Sequence, residues 1–130
     1  MVVFSGTLTA GGLEIEPDGE GGVRLVREGR TRKWVRRVQQ VTFSGRYARE
    51  RGQEVMYVTD RAVFRLGPEG IELCELAPGI DRDRDVLKQI EFSVRVSPGL
   101  RPMDRRLFRA EPMGLIEEFR SRARPRARRR

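Results

Sequence analysis

Apolar and polar positions alternate along most of this chain in short runs divided by glycine, proline and acidic residues, which is the pattern of a strand-rich domain. "VVFSGTLT" reads as a buried strand. In "GLEIE", Leu13 and Ile15 alternate with Glu14 and Glu16, predicting a half-buried strand. "PDGEGG" breaks it, Val23 and Leu25 resume the alternation, "REGR" turns the chain, and Trp34 to Phe43 reads as a long extended segment through Val35, Val38 and Val41. Together these stretches predict a meander of antiparallel strands. "GRYARERG", bounded by Gly45 and Gly52, predicts a short helical turn or loop.

The clearest unit is "EVMYVTDRAVFRL", then "GPEG", then "IELCELAPG", read as two strands joined by a hairpin turn over Gly67 to Gly70. Ala62, Phe64 and Leu66 form its alternating apolar face, with Ile71 and Leu73 opposite. After Pro78 and Gly79, Asp81 or Asp83 caps a helix whose Val86, Leu87 and Ile90 share a face. The stretch from Phe92 to Leu115 holds three Pro and two Gly and is expected to be mostly extended, with Leu115, Ile116 and Phe119 opening a terminal helix.

Charge changes this picture at one end. The net charge is +8, but "RSRARPRARRR" at 120–130 holds seven Arg without an acid, so only +1 falls on the other 119 residues. A terminal run of this kind is expected to be solvated and disordered, which argues against nucleic acid as the partner of the folded body. The division expected is a folded segment over 1–115 and a basic, disordered tail over 116–130. No apolar run is long enough for a membrane helix and no charged region precedes the first one, so a cytoplasmic chain is expected.

Candidate chemistry narrows quickly. There is no His, and the single Cys74 can form neither an internal disulfide nor a zinc cluster. Gly6 and Gly11 have the spacing of a phosphate-binding loop, but Gly12 and Leu13 stand where its Lys and Ser/Thr belong, so nucleotide hydrolysis is not indicated. Glu14 and Glu16 share a strand face and read as a solvated face rather than a catalytic pair. Glu20 and Glu69 belong to turns. Asp81, Asp83 and Asp85 lack the Gly and distal Glu of a calcium loop. Cys74, in mid-strand, reads as a buried structural thiol. Tyr47 among Arg46, Arg49 and Arg51 reads either as a phosphate or adenine contact or as the packing of a surface loop. No catalytic residue and no metal site is assigned.

Segment order adds a resemblance. "VVFSGTLTAGGLEIE", "VTFSGRYARERG", "YVTDRAVFRL", "ELAPGIDRDRDVLKQIEF", "VSPGLRPMDRRLF" and "EPMGL" together resemble the C-terminal segment of the acetate/propionate CoA-transferase family, single-chain relatives of the 3-oxoacid CoA-transferases. The likeness runs over about residues 2 to 115, with "TDRAVF" and "ELAPGID" its most specific parts. It implies an α/β fold: the strand-rich C-terminal part of an open layered sandwich, with antiparallel hairpins and one or two short helices.

It also implies a chemistry in which a glutamate carboxylate attacks an acyl-CoA thioester and passes through a glutamyl-CoA thioester before a second, short-chain carboxylic acid takes the CoA. Coenzyme A is then a substrate, with no covalently bound cofactor. The family's nucleophilic Glu and its glycine-rich CoA loop have no counterpart here, which implies a chain inactive alone: a fragment or degenerate remnant, or a split piece that docks onto a partner chain supplying the missing domain or self-associates. Thr7, Gly11 and Gly12 are placed beside the CoA site, in a strand-end loop whose glycines supply backbone freedom. Two other readings remain: a polyanion or nucleic-acid binding module using the Arg-rich tail, and a structural protein dimerising through exposed strands.

Overall fold

A computed structural model describes residues 1–123. Its centre is a five-stranded mixed sheet, in the order β1 (Val2–Ser5), β6 (Val55–Val58), β7 (Ala62–Gly67), β8 (Gly70–Leu76), β9 (Arg95–Pro102). Two small antiparallel ribbons flank it: β2 (Thr9–Ala10) with β5 (Thr31–Arg32), and β3 (Glu14–Pro17) with β4 (Val23–Arg27). Helix α1 (Gly45–Glu50) and the terminal helix α2 (Leu115–Ala123) complete the regular elements, with a π-helical turn at Arg82–Val86 and 3₁₀ turns at Leu87–Gln89 and Arg105–Phe108.

The β7–β8 hairpin forms as the alternation predicts. Gly67 pairs with Gly70 across Pro68 and Glu69, Leu66 meets Ile71, and Phe64 meets Leu73. Cys74 is the extra residue of a β-bulge between Leu73 and Glu75, half-buried rather than buried. "EVMYVTDRAVFRL" is not one strand but two. The chain reverses at Thr59–Arg61, where Thr59 Oγ1 accepts from the amides of Ala62 (2.9 Å) and Arg61 (3.3 Å), a side-chain turn that substitutes for glycine.

The stretches up to Phe43 do not form one antiparallel meander: β3 and β4 pair antiparallel as expected, but β1 leaves them to lie parallel to β6, and at the other edge of the sheet β9 lies parallel to β8. β1 is largely exposed, not buried, since it forms one edge of the sheet. Residues 34–43 form no strand. Val35, Val38 and Val41 recur every third residue, so they cannot share a face of a period-two element. Trp34 instead lies over Phe64 (4.5 Å between ring centres), and Arg36 ties this stretch to Glu91 through its amide and its Nε.

One face of the sheet carries Phe4, Tyr57, Phe64 and Leu73 in a row across four strands. Trp34, Phe92, Val86 and Ile90 join the apolar cluster around it, with Leu8, Val23 and Met103. The expected helix after Gly79 is present as the π-helical and 3₁₀ turns, capped by Asp81 on the Arg84 amide, and it buries Val86 and Ile90. Gly79 explains the "APG" of this region: its φ is +91°, and an added Cβ would stand 2.4 Å from the Val23 carbonyl oxygen. Helix α2 spans the boundary expected at residue 115, and the tail expectation for 124–130 lies outside the described residues.

Candidate functional site

The segment from Thr7 to Gly12 is not wholly the loop expected, since Thr9 and Ala10 form β2 and pair with Arg32 and Thr31; a buried ionic cluster holds it. Leu8 and Thr9 are fully buried. The Leu8 amide donates to Asp60 Oδ1 (2.6 Å), and the Thr9 hydroxyl donates to Glu28. Behind them lies Arg61, with no exposed surface. Its Nε donates to Asp60 Oδ2 (2.8 Å), its two terminal nitrogens donate to Glu28 (2.8 and 3.2 Å), and Nη1 also reaches the Asp85 carbonyl oxygen (3.1 Å). A buried guanidinium is tolerated only when paired and fully hydrogen-bonded. That condition is met: among the described residues no buried side-chain nitrogen or oxygen lacks a partner.

Electrostatics follow from this packing. Burial works to raise the Glu28 carboxyl, but the hydrogen bonds from Arg61 and Thr9 outweigh it and hold the group below its ordinary value. Burial likewise disfavours the Arg61 cation, and the bonds to Glu28 and Asp60 reverse that and keep it charged. The Arg84 hydrogen bond holds the Asp85 carboxyl low against its burial. The "TDR" of "TDRAVF" thus has a structural meaning: Thr59 makes the turn, Asp60 grips the Leu8 amide, and Arg61 locks both to Glu28.

In front of the loop opens a cleft of about 360 Å³ walled by Phe4, Thr7, Lys33, Trp34, Tyr57 and Phe92. Phe4 stacks on Tyr57 (5.3 Å, 16° between planes), and Trp34 meets Tyr57 edge-on. Lys33 Nζ donates to the Thr7 carbonyl oxygen (2.7 Å) at the rim. Of the three residues expected beside a CoA site, Thr7 lines this cleft. Gly11 and Gly12 do not; they turn the backbone with φ of +77° and +85° beside Arg27 and Arg30. The Arg30 amide donates to the Gly11 carbonyl oxygen (3.0 Å) and Arg27 Nε to that of Gly12 (2.7 Å).

The remaining candidates have partners of their own. Glu14 and Glu16 are solvated and paired with Arg27 and Arg24. Glu69 pairs with Arg95, and the amide of Glu20 caps onto Asp18. Asp83 and Asp85 are bound by Arg82 and Arg84, and among the described residues no group of three or more acidic or Cys side chains is arranged to hold a metal. Burial pushes the Cys74 thiol up, away from reactivity. Tyr47 is exposed on α1 with the Arg51 guanidinium over its ring (5.5 Å). Among the described residues, no helix is long and apolar enough to cross a membrane.

Near-neutrality of the body conceals an uneven distribution of its charge. Residues 29–49 hold Arg30, Arg32, Lys33, Arg36, Arg37, Arg46 and Arg49 and no acid, a signal that counting the tail separately from the whole body averages away. Among the described residues none of the seven makes an ion pair, whereas the arginines of β4, β7 and β9 find carboxylates nearby.

Comparison with known proteins gives this geometry its relatives. No family model matches. The chain is 45% identical over 115 residues to the acetate CoA-transferase YdiF of Escherichia coli K12, and 44% identical over 114 residues to the caffeate CoA-transferase of Acetobacterium woodii. Each match covers 88% of this chain but only 22% and 21% of the relative. The crystal structure of the acyl-CoA transferase YdiF apoenzyme from E. coli O157:H7 superimposes with a TM-score of 0.82 at 46% identity, over 86% of this chain and 22% of that one. A thioester complex of the same enzyme with CoA matches equally well. The chain is therefore similar in sequence and fold to a segment of these CoA-transferases and spans about a fifth of their length.

Proposed function

We propose that this chain is the C-terminal part of an acyl-CoA:carboxylate CoA-transferase and acts in CoA transfer only together with the remainder of such an enzyme. The observation that carries this reading is the agreement of 45% identity over nearly the whole chain with a TM-score of 0.82 on the same kind of enzyme. In the reaction proposed, a glutamate carboxylate of the remainder attacks the acyl thioester carbonyl and expels CoA as thiolate. The thiolate then attacks the glutamyl carbonyl of the mixed anhydride, forming the glutamyl-CoA thioester and releasing the first acid. A second carboxylate reverses the two steps and leaves as its CoA thioester.

This chain's share is binding and positioning. Thr7 presents its backbone at the aromatic cleft, while Gly11 and Gly12 bend the chain beside Arg27 and Arg30, whose planar guanidinium groups suit the phosphates of CoA. The Arg61 cluster keeps that loop rigid, so that binding at a distance from the thioester contributes to the chemical step. The test is a chimera in which this chain replaces the matching segment of the E. coli YdiF acetate CoA-transferase. CoA transfer from acetyl-CoA to a short-chain acid by the chimera supports the reading. A folded chimera without transfer overturns it.

A further inference from the structure

The open edge of β1 and the basic stretch 29–49 beside it have features that the chain itself leaves unanswered. Val2 and Gly6 donate their amides to β6, to Glu54 (2.8 Å) and Val58 (3.1 Å). In a parallel ladder alternate residues face alternate sides, so the N–H groups of Val3 and Ser5 point to the open side. Edge strands are ordinarily blunted by charges, proline or a bulge, and "VVFS" carries none of these.

The neighbouring stretch runs from Arg36, anchored on Glu91, to Phe43, whose ring stands edge-on to Phe4 (5.0 Å). Between these anchors Val38 (58%) and Val41 (72%) are exposed, as is Val3 (54%) on β1. The unpaired amides of the β1 edge therefore adjoin, where Phe43 meets Phe4, a stretch that exposes two valines and whose cations, among the described residues, make no ion pair; Val3 is exposed on the other face of the same edge.

We propose that this edge and strap form one docking surface, and that its occupant is an extended, acidic segment of the remainder of the CoA-transferase; the inference rests on the functional reading above. Strand addition satisfies the free amides, alternate apolar side chains of the added strand meet the valines, and its carboxylates answer the arginines. A second copy of this chain would set its own basic run against the first, and like charges placed together oppose that pairing. A nucleic acid would answer the cations but leave the valines and the strand edge uncovered.

The experiment compares amide hydrogen exchange in the isolated chain and in the chimera. Exchange at Val3 and Ser5 about tenfold or more slower in the chimera is expected. Arg37→Glu combined with Arg46→Glu is expected to lower the melting temperature of the chimera while leaving that of the isolated chain nearly unchanged. Equal exchange in the two proteins overturns the proposal, and so does a chimera that cannot fold. Protection in the isolated chain that rises with its concentration overturns it in favour of a second copy. Protection without CoA transfer leaves the docking surface standing and removes the functional reading; transfer without protection does the reverse.

Discussion

Arg61 and Glu28, 33 residues apart in sequence, face each other as a two-pronged ion pair, Nη1 to Oε2 at 2.8 Å and Nη2 to Oε1 at 3.2 Å, with the arginine side chain entirely inside the protein. Removing Arg61 leaves Glu28 and Asp60 without their shared cation, and breaking a buried pair from one side costs about 3 to 5 kcal/mol. Arg61→Ala is therefore expected to be largely unfolded in moderate urea, with loss of protection first at Leu8 and Thr9. A denaturation midpoint within error of the parent would show that the cluster is not what holds the loop.

The same cluster sets a pH window. The folded-state values of Glu28 and Asp85 lie below their ordinary 4.5 and 3.8, so their contribution is present above those values and disappears as pH falls through the lower folded-state ones. Stability is expected to be flat from pH 7 to about 5 on their account and to drop below about 4.5. Glu28→Gln lowers stability at neutral pH and makes that acid slope shallower. An unchanged slope in the variant would assign the acid sensitivity to other carboxylates.

Phe64 is fully buried on the aromatic face, between Tyr57 and Leu73 and under Trp34, whereas Phe119 on α2 is 65% exposed. Phe64→Ala is expected to cost about 3 to 5 kcal/mol. Phe119→Ala changes stability by about 0.5 kcal/mol or less. Urea titration of both variants separates the two; equal effects would contradict the sheet register.

Gly79 and Gly52 both have positive φ, but only Gly79 also sits against a neighbour, the Val23 carbonyl. Alanine at Gly52 is expected to cost about 1 to 2 kcal/mol from backbone strain alone. At Gly79 the cost is larger, because the backbone of β4 must also shift. Thermal melting of the pair reads the difference, and a milder Gly79→Ala would mean that the two segments separate easily.

The isolated chain is expected to transfer no CoA between acetyl-CoA and a short-chain acid. Mass spectrometry after incubation with acetyl-CoA reads the same point: a borohydride-sensitive glutamyl thioester on this chain would place a nucleophile within it.

Local pattern was enough for the elements whose partners lie close in sequence. The β7–β8 hairpin, the ribbon of Glu14–Pro17 with Val23–Arg27 and the terminal helix were legible, and α1 was legible as a helical turn or loop, because alternation, turn residues and caps act over a few residues. The six motifs in their order were enough for the CoA-transferase likeness. Tertiary structure alone decided the rest. β1 and β9 each lie parallel to strands distant in sequence, a pairing that no local alternation encodes. Trp34 lies outside any strand with its ring against Phe64, a contact across 30 residues that no local pattern encodes. Arg61 looked like one more surface arginine of a basic chain, and it became the centre of the fold when the chain brought Glu28, Asp60 and the Asp85 carbonyl to it, since a buried cation is stable only where its partners converge.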